Sequence, residues 1–131
     1  MNGPDSKKGV FVIEKRRNPR FYVELRMEYS RINDKENLNG TIANANEGGI
    51  LVYLPERLAI GDLFKIKIFF SRNSELNAIQ AIAKIVWADS TASRRAGEYR
   101  YGLQLQSFYK GDLQKFRGLL EEIERAHNHR R

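Results

Sequence analysis

The sequence has no cysteine and only two histidines in 131 residues. Without cysteine the chain can form neither a disulfide nor a thiolate metal site, so we expect a reducing compartment. His127 and His129 lie among arginines near the C-terminus, and a histidine pair without further ligands is a weak metal site. The sequence therefore predicts no metal and no cofactor.

Long apolar segments and known catalytic motifs are also missing. No apolar run approaches the roughly 20 residues that a membrane-spanning helix needs, and the N-terminal MNGPDSKKG has no apolar signal region. The phosphate-loop, dinucleotide-binding and nucleophile-elbow motifs do not occur. We therefore expect a soluble, cytoplasmic protein with no membrane insertion, no catalytic residue and no enzyme activity.

Acidic residues are fewer than basic ones. The chain has 23 Lys plus Arg against 16 Asp plus Glu, a formal net charge of +7. The excess lies in short clusters at residues 7–8, 15–17, 20, 94–95 and 130–131. Such a surface favours an anionic partner: a nucleotide, a nucleic acid or an acidic protein.

What the sequence does contain is a series of short segments with alternating apolar residues, typical of half-buried strands. After Asp112 the apolar spacing becomes helical. We predict one domain over residues 10–126, consisting of an arm (10–20), a six-stranded antiparallel β-barrel (21–108) and a C-terminal amphipathic helix (110–126). Residues 1–9 are predicted to be a disordered tail and 127–131 a basic tail. The predicted strands cover residues 21–29, 38–44, 49–54, 63–70, 78–88 and 99–108, with a polar loop at 71–77.

The interior of this barrel is predicted from the same alternation. On the fifth strand, one face carries Ile79, Ala81, Ala83, Ile85 and Trp87, and we expect Trp87 to be a core residue. The three phenylalanines of the fourth strand are also expected to be largely core; they are Phe64, Phe69 and Phe70.

Two segments suggest a binding surface. The first, Arg16-Arg17-Asn18-Pro19-Arg20, presents guanidinium groups on a turn stiffened by proline. Guanidinium binds phosphate oxygens in pairs and recognises the N7/O6 edge of guanine. The same residues also suit a solvated, positively charged entry to the first strand, so this segment alone does not establish a binding site.

The second segment is Asn44-Ala45-Asn46-Glu47-Gly48-Gly49, between the second and third strands. Asn44 and Asn46 are two residues apart and should share a strand face, where amides can pair with a base edge. Gly48 and Gly49 would let a ligand approach the backbone. The same residues also suit an ordinary tight turn.

Together these segments resemble the PilZ domain family, bacterial receptors for the second messenger cyclic di-GMP. The family pattern R-x-x-x-R followed by [D/N]-x-S-x-x-G is matched by Arg16-x-x-x-Arg20 and by Asn44-x-Asn46-x-x-Gly49, with Asn46 in place of the usual serine. Further resemblance lies in residues 84–87 (KIVW) and 99–105 (YRYGLQL).

The resemblance implies a six-stranded barrel whose N-terminal arm folds over the ligand. It implies that Arg16 and Arg20 hold the phosphates and guanines, that Asn44 meets a guanine edge, and that Asn46 takes the serine's contact. Gly49 would keep the turn open. Flanking residues that would add to the ligand site are Lys15, Arg17 and Gly48.

Three functions remain open from the sequence. In the first, cyclic di-GMP orders the arm and the altered surface regulates a partner protein in motility, adhesion, exopolysaccharide synthesis or virulence. In the second, the Asn46 substitution has ended nucleotide binding and the protein is an adaptor for other proteins. In the third, a basic barrel binds single-stranded nucleic acid, which the expected burial of the strand phenylalanines disfavours.

Overall fold

The structure is a computed structural model that describes residues 21–89 and 98–129. Six strands pair antiparallel into a closed barrel in the order β1-β2-β3-β6-β5-β4, followed by one helix. The predicted fold class is therefore confirmed. The elements are β1 (Phe21–Arg31), β2 (Leu38–Asn46), β3 (Gly49–Leu54), β4 (Leu63–Arg72), β5 (Glu75–Ala88), β6 (Tyr99–Phe108) and α1 (Asp112–His129).

The barrel interior is filled by branched aliphatic and aromatic side chains from every strand. Alternation places one residue in two inside, and Met27, Ile50, Val52, Ile79 and Ile85 are completely buried. Burying a side chain of this size contributes about 1.5–3 kcal/mol, so this interior is the main stabilising part of the molecule.

Helix α1 closes one end of the barrel. Asp112, in its first turn, accepts a hydrogen bond from the Gln80 backbone N–H at 2.7 Å, an acidic residue where the helix dipole favours one. Phe116 packs on Phe108 with ring centroids 5.4 Å apart. The helix continues to His129, so His127 and His129 belong to its last turn and not to the predicted tail.

The connection between β3 and β4 is fastened by two buried tyrosines. Tyr29 donates a hydrogen bond to Glu56 at 3.1 Å, and Tyr101 donates to the Glu56 carbonyl at 2.9 Å while accepting from the Leu58 N–H. Burial, and the nearby Glu56 carboxylate, raise the pKa of Tyr29 above its ordinary value. Burial raises the pKa of Tyr101 as well, and both hydroxyls hold the loop to the barrel through these hydrogen bonds.

The polar loop predicted between the fourth and fifth strands is much shorter in the structure. β4 and β5 pair as far as Arg72 opposite Glu75, leaving Asn73 and Ser74 as a two-residue turn. Both have positive φ, 54° and 67°, as a tight hairpin turn of this twist requires. The prediction failed because asparagine and serine adjoin further polar residues that belong to the strands.

Two aromatic residues that were predicted to lie in the core are outside it, namely Phe69 and Trp87. Phe64 and Phe70 are buried, but Phe69 between them points outward, as alternation requires. Its ring lies 4.4 Å below the Arg26 guanidinium. Trp87 is also absent from the buried cluster of core residues.

Candidate ligand-binding site

The outer surface of β2, β3 and β6, together with the end of β5 that contains Trp87, is here called the motif wall, and it contains the second predicted segment. Asn44, Ala45 and Asn46 pair with Leu51, Ile50 and Gly49 respectively. Ala45 and Ile50 face the core, so Asn44 and Asn46 both face outward, on the shared strand face expected from the sequence.

A register shift puts Asn44 on this outer surface. Ile42 faces the core opposite Val52, and between Ile42 and Asn44 the pairing with β3 slips by one residue. The extra residue, Ala43, restores Asn44 to the outside; in a regular strand, Ile42 and Asn44 would share the inner face. The bulge therefore keeps an amide out of the core and makes it part of the motif wall.

Asn44 is nevertheless buried, with 2% of its surface exposed. Its Oδ1 has no hydrogen-bond partner among the described residues. Leaving a buried polar atom unpaired costs about 1–3 kcal/mol, so such atoms in folded proteins call for an explanation. A group that donates a hydrogen bond from a ligand would satisfy this one.

Asn46 has a different environment. Its Oδ1 accepts hydrogen bonds from the backbone N–H groups of Gly48 at 2.8 Å and Gly49 at 3.1 Å. This is an Asx turn, in which the side chain stands in for a backbone acceptor. The carbonyl oxygen is thus already used within the turn, and the amide NH₂ remains as the group that could meet a ligand.

The turn is also joined to helix α1. Arg117 approaches Glu47 with Nε and Oε2 3.1 Å apart. Both side chains are largely exposed, so the pair contributes little to stability. The pair nevertheless places the turn at residues 46–49 in direct contact with the C-terminal helix. The sequence of that turn did not predict this contact.

The predicted arginine segment lies outside the described residues, as do Lys15 and Arg17. The first described residues after it, Phe21 and Tyr22, pair with Ala45 and Asn44. β1 therefore begins beside the second segment. The contacts expected of Arg16 and Arg20 stay predictions.

Sequence reasoning missed the part of the motif wall contributed by β5 and β6. Ile85 pairs with Leu103 but Trp87 pairs with Gly102, a second one-residue slip that turns Trp87 to the outer surface. Arg100 lies with its guanidinium carbon 5.5 Å from the Trp87 ring centroid and its Nη2 2.6 Å from Asp89. A bulge leaves no periodic signal in a run of apolar residues, so the sequence could not show this arrangement.

No group of three or more potential metal-ligating side chains occurs within residues 21–89 and 98–129. Nor is any helix of that described part long and apolar enough to cross a membrane.

Comparison with known protein families establishes the family of this chain. The family model described as the PilZ domain matches residues 14–122 of this chain. The chain belongs to the PilZ domain family. No curated protein sequence matches it.

This PilZ domain is also similar to solved structures. The Bacillus subtilis inhibitor of motility MotI/DgrA aligns with a TM-score of 0.69 and 20% identity, covering 91% of this chain and 54% of that one. The PilZ domain of Escherichia coli YcgR with c-di-GMP aligns with a TM-score of 0.66 and 13% identity, covering 89% of this chain and 97% of that one.

A third structure, the K. pneumoniae MrkH–c-di-GMP complex, gives a TM-score of 0.66 and 15% identity, covering 92% of this chain and 56% of that one. The chain thus spans about half the length of MotI and MrkH. At these identities the likeness is one of fold, and two of the three structures contain c-di-GMP.

Proposed function

We propose that this PilZ domain is a non-enzymatic receptor for cyclic di-GMP that regulates another protein when the nucleotide binds. The observation that carries the proposal is the buried Asn44 amide on the motif wall, whose Oδ1 has no partner among the described residues. A guanine presents N–H donors along its base-pairing edge, and one of them would satisfy this acceptor.

The charge of the chain supports the same ligand. Arg16 and Arg20 precede β1 in the sequence, and β1 begins opposite Asn44 and Ala45. Guanidinium groups at that position would bind phosphate oxygens and guanine acceptors while Asn44 binds the donor edge. Lys15, Arg17, Gly48 and Gly49 would complete the site.

The regulatory step would be an ordering of the arm, residues 10–20, over the ligand. The ligand-bound surface would then bind the regulated protein. The contact between Glu47 and Arg117 gives this change one route to helix α1, because it joins the ligand turn to the helix surface.

The proposal is tested by titrating the purified protein with cyclic di-GMP in a calorimeter, with GTP and cyclic di-AMP as controls. We expect saturable binding of cyclic di-GMP with a Kd in the micromolar range or below, equivalent to about 8 kcal/mol or more. Absence of binding by a folded protein would overturn the proposal.

One observation favours a second candidate, an adaptor that has lost the nucleotide. Asn46 uses its only side-chain acceptor within the turn, so it cannot reproduce every hydrogen bond of a serine hydroxyl. The same titration separates the two candidates, since the adaptor would not bind cyclic di-GMP.

A further inference from the structure

A second unpaired polar atom lies on the motif wall. Within residues 21–89 and 98–129, the buried side-chain polar atoms without a hydrogen-bond partner are Asn44 Oδ1 and Arg100 Nε. One is an acceptor and the other a donor. The two residues are on β2 and β6, with β3 between them.

Strand pairing places both residues on one surface. Asn44 pairs with Leu51, Leu51 with Gly102, and Gly102 with Trp87, so these four positions form one row across the outer wall. Arg100 is two residues from Gly102 on the same face of β6. With strands about 4.8 Å apart and about 3.4 Å per residue along each strand, Arg100 lies about 10 Å across and about 7 Å along the sheet from Asn44.

Two contacts hold the Arg100 side chain in place. Asp89 accepts a hydrogen bond from its Nη2 at 2.6 Å, and the Trp87 ring lies 5.5 Å from the guanidinium carbon. Both contacts restrict the rotation of the side chain and leave other N–H groups of the guanidinium for a ligand. Gly102 has no side chain beside Trp87, and the outward-facing Leu51 lies between Gly102 and Asn44.

We propose that Arg100 is a further ligand-binding residue of this domain, donating hydrogen bonds to the acceptor edge of a purine base. This inference rests on the proposed function. A ligand with two purine bases has two such edges, so one base can meet Asn44 while Arg100 binds the O6/N7 edge of guanine. Because Asp89 already offsets the charge of Arg100, a neutral acceptor edge suits it better than a phosphate.

The proposal makes Arg100 a determinant of selectivity. Adenine carries an amino group where guanine carries O6, so it would place a donor against the donors of Arg100. Arg100 should therefore favour cyclic di-GMP over cyclic di-AMP.

The test compares Arg100→Gln with Arg26→Gln by calorimetry against both cyclic dinucleotides. Arg26 is a matched control because it also lies over an aromatic ring, Phe69, but on β1. We expect Arg100→Gln to weaken cyclic di-GMP binding about 5- to 150-fold and to reduce its preference over cyclic di-AMP. Arg26→Gln should change affinity by less than about twofold.

A second measurement needs no variant. Trp87 is the single tryptophan of the chain, so its emission during the titration reports on a base seated beside Arg100. We expect a saturable change that follows the calorimetric curve. Arg100→Lys should also weaken binding, because an ammonium group cannot present paired donors.

The outcomes separate this inference from the proposed function. If the unaltered protein binds cyclic di-GMP but Arg100→Gln binds equally well, or Trp87 emission does not change at saturation, the Arg100 inference alone is overturned. If the unaltered protein does not bind, the receptor function fails and this inference fails with it.

Discussion

The wall formed by β1, β4 and β5 and the motif wall differ in how regularly their strands pair. Over the residues described, β4 pairs with both β1 and β5 without any register shift. The pairings of β1 with β2, β2 with β3, and β5 with β6 all contain shifts, and on the motif wall only β3 and β6 pair without one over the residues described. The unpaired atoms of Asn44 and Arg100 lie on the irregular side.

This difference indicates that the regularly paired strands mainly stabilise the barrel, whereas the irregularly paired strands form the candidate binding surface. In a regular ladder every second side chain reaches the core. Each bulge inserts one extra residue, so the side chain that follows it faces the opposite side of the sheet from the one that alternation predicts. On the motif wall the residues turned outward are an amide and an indole. Irregular, incompletely satisfied structure concentrated at one surface is typical of a functional site.

The largest expected effect would disrupt the regular wall. Ile68 is 1% exposed and pairs with Met27 and Ile79 on its two sides. Ile68→Ala should lower the free energy of unfolding by about 2–5 kcal/mol, because it removes buried methyl groups and leaves a cavity. Urea unfolding would measure the loss. Lys67→Ala, its outward neighbour, is the control and should stay within about 0.5 kcal/mol.

The next effect concerns binding. Arg20→Ala should weaken cyclic di-GMP binding by about 1–3 kcal/mol through loss of a paired guanidinium contact. Calorimetry would measure it, with Lys65→Ala on β4 as a control of equal charge change. Unchanged affinity for Arg20→Ala would remove that residue from the site.

The affinity of the unaltered protein should also fall as the salt concentration rises, because contacts between arginine and phosphate are screened.

A smaller effect would separate stability from binding at one residue. Asn44→Ala should reduce ligand affinity by about 0.5–1.5 kcal/mol, the net value of one hydrogen bond. Its free energy of unfolding should not fall, because the Asn44 Oδ1 has no described partner to lose. Calorimetry and urea unfolding on the same preparation would test both. A clear loss of stability with unchanged affinity would show a purely structural amide.

The smallest effect concerns the residue that departs from the family pattern. A serine at position 46 can also bond to the backbone N–H groups of the turn, though more weakly. Asn46→Ser should therefore leave ligand affinity equal or slightly better, within about 0.5 kcal/mol. Asn46→Ala, which removes both turn hydrogen bonds, is the contrasting variant. A large loss of affinity in Asn46→Ser would show that the asparagine NH₂ makes a contact of its own.

Much of the fold could be predicted because alternation along a strand directly reflects burial. Ile66 and Ile68, like Ile79, Ala81 and Ile85, face the core as their spacing requires. Phe69 obeys the alternation and was assigned to the core against it, whereas the error at Trp87 has another origin. Trp87 continues the alternation in the sequence, but the register shift in the pairing of β5 with β6 turns it to the outer surface. A local sequence pattern does not reveal such a shift.

The candidate site divides in the same way. The motif Asn44-x-Asn46-x-x-Gly49 was identified from the sequence, because its residues are close along the chain and their spacing matches a family pattern. Arg100 and Asp89 were missed because the resemblance of residues 99–105 assigns Arg100 no binding role, and both residues meet Trp87 only when β5 and β6 pair. Contacts between distant segments depend on register, which a single sequence specifies only weakly.

By itself the sequence determined the number of the strands and their order along the chain, the C-terminal helix and the family. Those properties depend on spacing, composition and short motifs. Only the tertiary structure decided that Asn44 is buried with an unpaired oxygen, that Asn46 closes its own turn, and that Trp87 and Arg100 lie on the same wall. The turn at Asn46 depends on the local backbone geometry. The positions of Asn44 and Trp87 depend on two one-residue slips in pairing, whose effect appears only when the barrel closes.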